Sequence, residues 1–227
     1  MSDYVIPAPP QAYVPVAGGG KFPVRRIFCV GRNYAEHARE MGHDPEREPP
    51  FFFTKPADAL VIGGAPTPYP PATSDLHHEI ELVAAIGQGG RNIAAAAALS
   101  HVWGYAAGLD LTRRDLQQQA KKLARPWDMA KSFDASAPIG DLLPAANIDP
   151  THGGIALMVN GAIRQQADLS GMIWSVAESI AYLSTLVALA PGDLLFTGTP
   201  AGVAAIVRGD VLEGHVEGVG SVRTTIA

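Results

Sequence analysis

Apolar positions in this chain recur mostly at the spacing of strands, in short runs cut by glycine, proline and asparagine. Arg25 to Val30 predicts a strand, Gly31-Arg32-Asn33 a turn, and Tyr34 to Met41 a short helix stopped at Gly42. Phe51 to Lys55 is a second strand, and the proline-rich stretch Pro66 to Pro71 a loop. His77 to Ile86 begins with alternation, Ile80 and Leu82 on one face and Glu79 and Glu81 on the other. Val102 to Leu111 predicts another apolar strand with Asp110 near its end. Thr112 then reads as the cap of a helix running through Leu123, with Asp115 three positions on and Leu116, Ala120 and Leu123 on its apolar face. Asn160-Gly161, between Ile155 to Asn160 and Ala162 to Gln166, is a two-residue hairpin turn. A capping box from Ser175 to Glu178 opens the longest helix, ending near Leu189, and Asp193 to Thr197, Asp210 to Glu213 and Ser221 to Ile226 predict strands separated by glycines. Strands with inserted helices, lacking a regular βαβ alternation, predict a β-rich α+β fold.

Composition narrows the function more than the fold. The 227 residues are 47% hydrophobic and 17% charged, with 24 Gly and 19 Pro, against about 25% charged in an average globular chain. That apolar content with a net charge of −5 excludes disorder, and the turn formers exclude a long helical bundle. Without a lysine or arginine block, no nucleic-acid partner is expected. The apolar stretches Ile93 to Leu99 and Ile180 to Ala190 are too short to span a bilayer, so no membrane segment is expected either. Residues 1–20 read as a Pro- and Gly-rich arm without the features of a signal peptide, and residues 21–227 as a single catalytic domain. The one cysteine, Cys29, lies in an apolar run and reads as a buried structural thiol of a cytoplasmic protein.

Three groupings carry chemistry. Glu79-Ile80-Glu81 places two carboxylates on one side of a strand, either as a solvated face or around a divalent cation that resolves their repulsion. Asp110, at the end of an apolar strand, favours the cation: three carboxylates from neighbouring strands leave about half of an octahedral site for water or substrate oxygens. His77 and His78 point to opposite faces, and a hard-oxygen site needs neither. His37 and Glu40, three apart on the short helix, make either an ordinary surface pair or a base held in one tautomer. Lys131, among apolar neighbours, either snorkels to solvent or meets developing negative charge.

Six ordered strings extend this picture: Ile27-Phe28-Cys29-Val30-Gly31-Arg32-Asn33-Tyr34, Lys55-Pro56, His77-His78-Glu79-Ile80-Glu81-Leu82, Gly108-Leu109-Asp110-Leu111-Thr112-Arg113-Arg114-Asp115, Ala130-Lys131-Ser132-Phe133, and Gly192-Asp193 with Thr197-Gly198-Thr199-Pro200. Together they resemble the fumarylacetoacetate hydrolase family, from about residue 25 to the C-terminus. The resemblance implies a mixed β-sandwich or β-roll with peripheral helices, usually a homodimer, with Mg²⁺ or Mn²⁺ held by Glu79, Glu81 and Asp110. It also implies a base and its orienting acid at His37 and Glu40, on a helix that closes over the site, and a charge-stabilising lysine at Lys131. Arg32, Arg114, Gln117 and Thr199 fall where relatives contact substrate oxygens. The implied reaction is metal-dependent hydrolysis of a C–C bond in an acylpyruvate, a 2,4-dioxo acid, foremost fumarylpyruvate to fumarate and pyruvate. Oxaloacetate decarboxylation and isomerisation or hydration of hydroxymuconate-type dienoates are the alternatives on the same metal platform.

Overall fold

The computed structural model describes residues 4–36 and 48–227. A six-stranded mixed sheet organises them. Its centre is β7 (Ile80–Ile86), antiparallel to both β8 (Val102–Leu109) and β14 (Asp193–Phe196). Beyond β14 come β3 (Arg26–Gly31), in parallel, and β4 (Phe51–Lys55), antiparallel to β3; β11 (Leu143–Pro144) closes the other edge on β8. A second, antiparallel sheet has the order β13 (Ala162–Asp168), β12 (Gly154–Val159), β16 (Val211–Val216), β17 (Gly220–Thr225). Smaller ladders complete the fold: β1 (Tyr13–Pro15) with β2 (Lys21–Pro23), β5 (Leu60–Val61) with β10 (Ala137–Pro138), and β6 (Leu76–His77) between β9 (Thr112–Arg113) and β15 (Ala205–Ile206). The helices are short: α1 (Ala95–Ala98), α2 (Arg114–Lys122), α3 (Asp128–Lys131) and α4 (Val176–Leu186).

The alternation along β7 explains why this sheet is central. Ile80, Leu82, Ala84 and Ile86 enter one core with Ile155, Leu157 and Val159 of β12, Leu212 and Val216 of β16, and Ile180 and Leu183 of α4. Val83 and Ala85 enter a second core on the opposite face, with Cys29, Leu194 and Phe196, and with Val14 and Phe22 from the β1–β2 hairpin. That hairpin crosses the expected boundary between arm and domain, and Val14 is fully buried. Covered on both faces, the strand has no solvated side, so Glu81 lies inside the protein at 1% exposure.

Across the neighbouring strands β8, β7 and β14, the sheet depends on a missing side chain. A Cβ on Gly108 would come within 2.7 Å of Val83 Cγ2 and 2.8 Å of Phe196 Cε1. Gly108→Ala is therefore expected to overpack this contact and destabilise the fold by about 1–3 kcal/mol, read as a lowered midpoint in thermal unfolding. An unchanged midpoint would contradict the packing.

Several local expectations are met. Asn160 and Gly161 both have positive φ, 53° and 76°, as a primed two-residue turn requires, and they join paired Val159 and Ala162. Ser175 and Glu178 form the reciprocal capping box of α4. That helix stops at Leu186, short of Leu189, because Val187 is already extended and Leu189 bridges to Gly90. The strand expected from His77 is interrupted at His78-Glu79, where the chain passes from β6 into β7 and so changes sheets.

One expectation fails in an informative way. Thr112 does not cap α2: it lies in β9, paired with His77, and donates from its hydroxyl to Asp110 O. The helix begins at Arg114, and Asp115 instead accepts from Thr73 Oγ1 and the N–H groups of Ser74 and Leu116. Leu116 and Ala120 are only half-buried and Leu123 is exposed; the buried face carries Arg114 and Gln117. The helix turns a polar face inward because a charged site lies beneath it. Among the described residues, no helix is long and apolar enough to cross a membrane.

Candidate active site

Glu79 in the β6–β7 junction, Glu81 on β7 and Asp110 just after β8 converge where the adjacent strands end. Strand register brings Ile80 opposite Leu109, and Asp110 N–H donates to Glu79 O at 2.9 Å, so the three carboxylates must meet. One oxygen from each lies within 4.8 Å of the others, and all three residues are buried. His77 and His78 are outside this group. His77 contacts Asp75 at 2.9 Å and His78 contacts Gln165, while burial lowers both imidazoles and keeps them neutral.

Buried cations surround the carboxylates. Lys131 Nζ donates to Glu79 Oε2 at 2.7 Å and Asp110 Oδ2 at 2.6 Å, and Arg114 Nη2 donates to Glu79 Oε1. Burial alone would push the Lys131 ammonium toward neutrality, but Asp110 and Glu79 outweigh it and hold the group charged, above the usual lysine range. The snorkelling alternative for Lys131 is therefore excluded at 2% exposure. Lys55, also buried, pairs with Asp110 Oδ1 at 2.8 Å and donates to Leu111 O and Lys131 O.

This arrangement leaves specific capacity for a cation. Among the described residues, Asp110 Oδ1 meets only the Lys55 ammonium, at 2.8 Å. Glu81 accepts from the Gly198 N–H at 2.8 Å, and burial, then Asp110 and Glu79, push its carboxyl well above the usual carboxylate range. Three carboxylate oxygens in a polar, buried setting are the donor set of a hard divalent ion, so the residues present fit Mg²⁺ or Mn²⁺.

The cavity over these carboxylates is lined by Glu79, Glu81, Asp110 and Lys131, and by Arg32, Arg114, Gln117 and Thr199. The structure thus gathers every substrate-contact residue expected from the sequence around one space. Arg114 and Gln117 come from the inward face of α2, with Arg114 Nη1 donating to Gln117 Oε1 at 2.6 Å. Thr199 comes from the loop after β14, whose backbone Asn33 fastens by donating from Nδ2 to Thr197 O at 2.7 Å. Arg32, at φ 56° in the turn after β3, lies over the rings of Phe51 and Trp127. His37 and Glu40 lie outside the described residues. Cys29 is buried in the second core, and burial pushes its thiol well above its ordinary range, which suits a structural role.

Four residues of the site carried no role in the sequence reading. Lys55 ends a strand of three phenylalanines, where a charged side chain signals a buried partner. Lys121 and Trp127 line the cavity beside Arg32, and beyond them opens a larger cavity of about 580 Å³ walled by Phe51, Phe52, Phe53 and Trp127. Lys121, seven residues after Arg114 on α2, was recoverable from helical spacing once the polar face was known to be the buried one. Gln165 had no local signal.

Comparison with known proteins agrees with this geometry. The family described as Fumarylacetoacetate (FAA) hydrolase C-terminal matches residues 26–227. A fumarylpyruvate hydrolase from Ralstonia sp. is 45% identical over 183 residues, 81% of this chain and 95% of that protein. The mitochondrial oxaloacetate tautomerase of Bos taurus is 42% identical over 200 residues, 88% of this chain and 90% of that protein. The crystal structure of fumarylpyruvate hydrolase from Pseudomonas aeruginosa in complex with Mn²⁺ and pyruvate superposes with a TM-score of 0.97 at 51% identity, covering 99% of each chain. By sequence, fold and the match from β3 to the C-terminus, this chain belongs to the fumarylacetoacetate hydrolase family.

Proposed function

We propose that this chain is a metal-dependent hydrolase that cleaves fumarylpyruvate to fumarate and pyruvate. The observation that carries the reading is the buried triad Glu79, Glu81 and Asp110 facing a cavity lined by Arg32, Arg114, Gln117, Lys131 and Thr199. It is supported by the 51% identity to a fumarylpyruvate hydrolase crystallised with Mn²⁺ and pyruvate. Glu79, Glu81 and Asp110 would hold a Mg²⁺ or Mn²⁺ ion, which would supply Lewis-acid stabilisation of the negative charge that develops on the enolate leaving group.

The chain's own residues do the rest. Water adds to the C4 carbonyl, its proton passing to His37 as the assigned base, with Glu40 assigned as the acid that would orient it. The C3–C4 bond then breaks, its electron pair leaving on the pyruvate enolate, which gains a proton to give pyruvate while the acyl half departs as fumarate. Lys131 and Arg114 flank the carboxylates where that negative charge develops. At the acyl end, Phe51, Phe53 and Trp127 offer flat faces to a conjugated chain. Arg32 and Lys121, 5.9 Å and 5.3 Å from the Trp127 ring centroid, have no carboxylate at ion-pair distance among the described residues and are free for a terminal carboxylate.

Enol absorbance of fumarylpyruvate should fall on adding enzyme with Mn²⁺, releasing one pyruvate per substrate. Consumption of oxaloacetate with no loss of fumarylpyruvate would overturn the reading. His37→Ala should keep metal binding and lose hydrolysis. Burial, reinforced by Arg32 and Arg114, lowers the Lys121 ammonium to about 8. It is charged below that pH, so KM for fumarylpyruvate should rise as pH passes upward through 8, while KM for acetylpyruvate, which lacks the second carboxylate, stays flat. Equal profiles would remove Lys121 from this role. The proposal includes a cytoplasmic homodimer, which would sediment at twice the 23.8 kDa chain mass.

A further inference from the structure

A buried glutamine far from the metal triad in sequence, Gln165, is hydrogen-bonded to a residue that lines the cavity. Gln165 belongs to β13, whose neighbours Ile163 and Arg164 point to solvent. The ladder with β12 slips here: Leu157 pairs with Gln165 but Met158 with Ile163, so Arg164 is an extra residue. This bulge turns Gln165 to the core face of Leu157, at 1% exposure, whereas regular alternation would leave it outward with Ile163. Gly202 permits the bulge, since a Cβ there would meet Arg164 O at 2.2 Å.

Hydrogen-bond directions now follow from one backbone group. The Ile80 N–H can only donate, and it points at the Gln165 amide at 3.1 Å, so the atom facing it is Oε1. His78 Nδ1, 2.9 Å from the same oxygen, must then carry the imidazole proton. Gln165 Nε2 is left to donate twice, to Thr199 Oγ1 at 2.8 Å and Pro200 O at 2.9 Å. Thr199 Oγ1 is thereby an acceptor toward Gln165, and its own proton makes no hydrogen bond among the described residues. Thr199 is 2% exposed and lines the cavity with Glu81 and Arg114.

We infer that Gln165 is a positioning residue that forces the Thr199 hydroxyl to present its proton to the cavity, as a donor to a carboxylate or enolate oxygen of the ligand. The inference rests on the proposed function for the identity of that ligand. A glutamate at position 165 has no proton to give. It would accept from Ile80 N–H and His78 Nδ1–H as before, but would draw the Thr199 proton toward itself, leaving lone pairs facing an anionic ligand.

The test is a mutant cycle on the full chain with Mn²⁺, reading steady-state kinetics with fumarylpyruvate and calorimetric binding of oxalate, a carboxylate that does not turn over. Gln165→Glu and Thr199→Val should each raise KM and the oxalate Kd on the order of 10- to 100-fold, with kcat changed much less and Mn²⁺ affinity unaltered. In the Thr199→Val background, Gln165→Glu should add less than about twofold, because the proton it redirects is gone. Wild-type KM in Gln165→Glu, or full additivity with Thr199→Val, overturns the inference. If Gln165→Glu does not fold, Gln165→Met, which removes the amide at similar volume, enters the same cycle with the same criteria. If the wild type fails to cleave fumarylpyruvate, the proposed function falls, and the oxalate cycle alone decides the role of Gln165.

Discussion

Glu81→Gln is expected to abolish metal binding while leaving the metal-free fold intact. The Glu81 carboxyl is penalised where it stands: burial, then Asp110 and Glu79, disfavour its charge, with Lys131 and the Gly198 N–H opposing. Glutamine keeps the shape and an oxygen for that N–H, and it removes the repulsion, so metal-free stability should hold or rise. The divalent ion, in contrast, loses one of three charged ligands. Replacing groups that merely support a ligand costs about 10- to 100-fold in affinity, and removal of the ligand itself should exceed that. Wild-type protein at a Mn²⁺ concentration of about 100 Kd should gain about 2.7 kcal/mol, or roughly 5–10 °C in thermal midpoint for a chain of this size. That upshift should vanish in Glu81→Gln, along with turnover. A variant that keeps the Mn²⁺-dependent upshift would exclude Glu81 as a ligand.

Lys131→Met separates charge stabilisation from metal binding. Lys131 joins Glu79 and Asp110 through two short bonds in a fully buried setting. Its loss leaves Glu79 with Arg114 and Asp110 with Lys55 but no cation between the two carboxylates, and breaking a buried ion pair from one side costs about 3–5 kcal/mol. The metal-free variant should therefore melt well below wild type. Bound Mn²⁺ should restore much of the difference, because removing a neighbouring positive charge raises cation affinity at the triad. Catalysis should not recover: a donor aimed at developing negative charge is worth on the order of 10²–10³ in kcat. Mn²⁺ affinity at or above wild type with turnover reduced by that factor is the expected pair of results. Turnover within tenfold of wild type would take Lys131 out of the reaction.

These two variants probe residues whose chemistry was visible in the sequence but whose surroundings were not. Glu79-Ile80-Glu81 and Asp110 could be read as a cation site because spacing and residue type are local facts. That this face is buried and not solvated follows from the second core, which covers the face of β7 that carries Glu81. Helix α2 shows the opposite case: its apolar positions suggested an inward face of Leu116, Ala120 and Leu123, and the protein buries Arg114 and Gln117 instead. Amphipathic periodicity assumes an apolar core beneath the helix, and here the helix lies over buried carboxylates, where matching charge outweighs apolar burial.

Neighbours a few residues apart specify the central strands, the Asn160-Gly161 hairpin, the capped start of α4, and the acidic pair at the start of β7. These are set by backbone sterics and side-chain period, which act over a few residues whatever the rest of the chain does. Long-range packing sets which charges are buried together. It brought Lys55 to Asp110 and Lys131 to Glu79, and through one bulge it turned Gln165 toward Thr199. Those pairings are fixed by strand register and by the exclusion of water, and desolvation, which makes the grouped carboxylates costly without a cation, arises only when the sheets close over them.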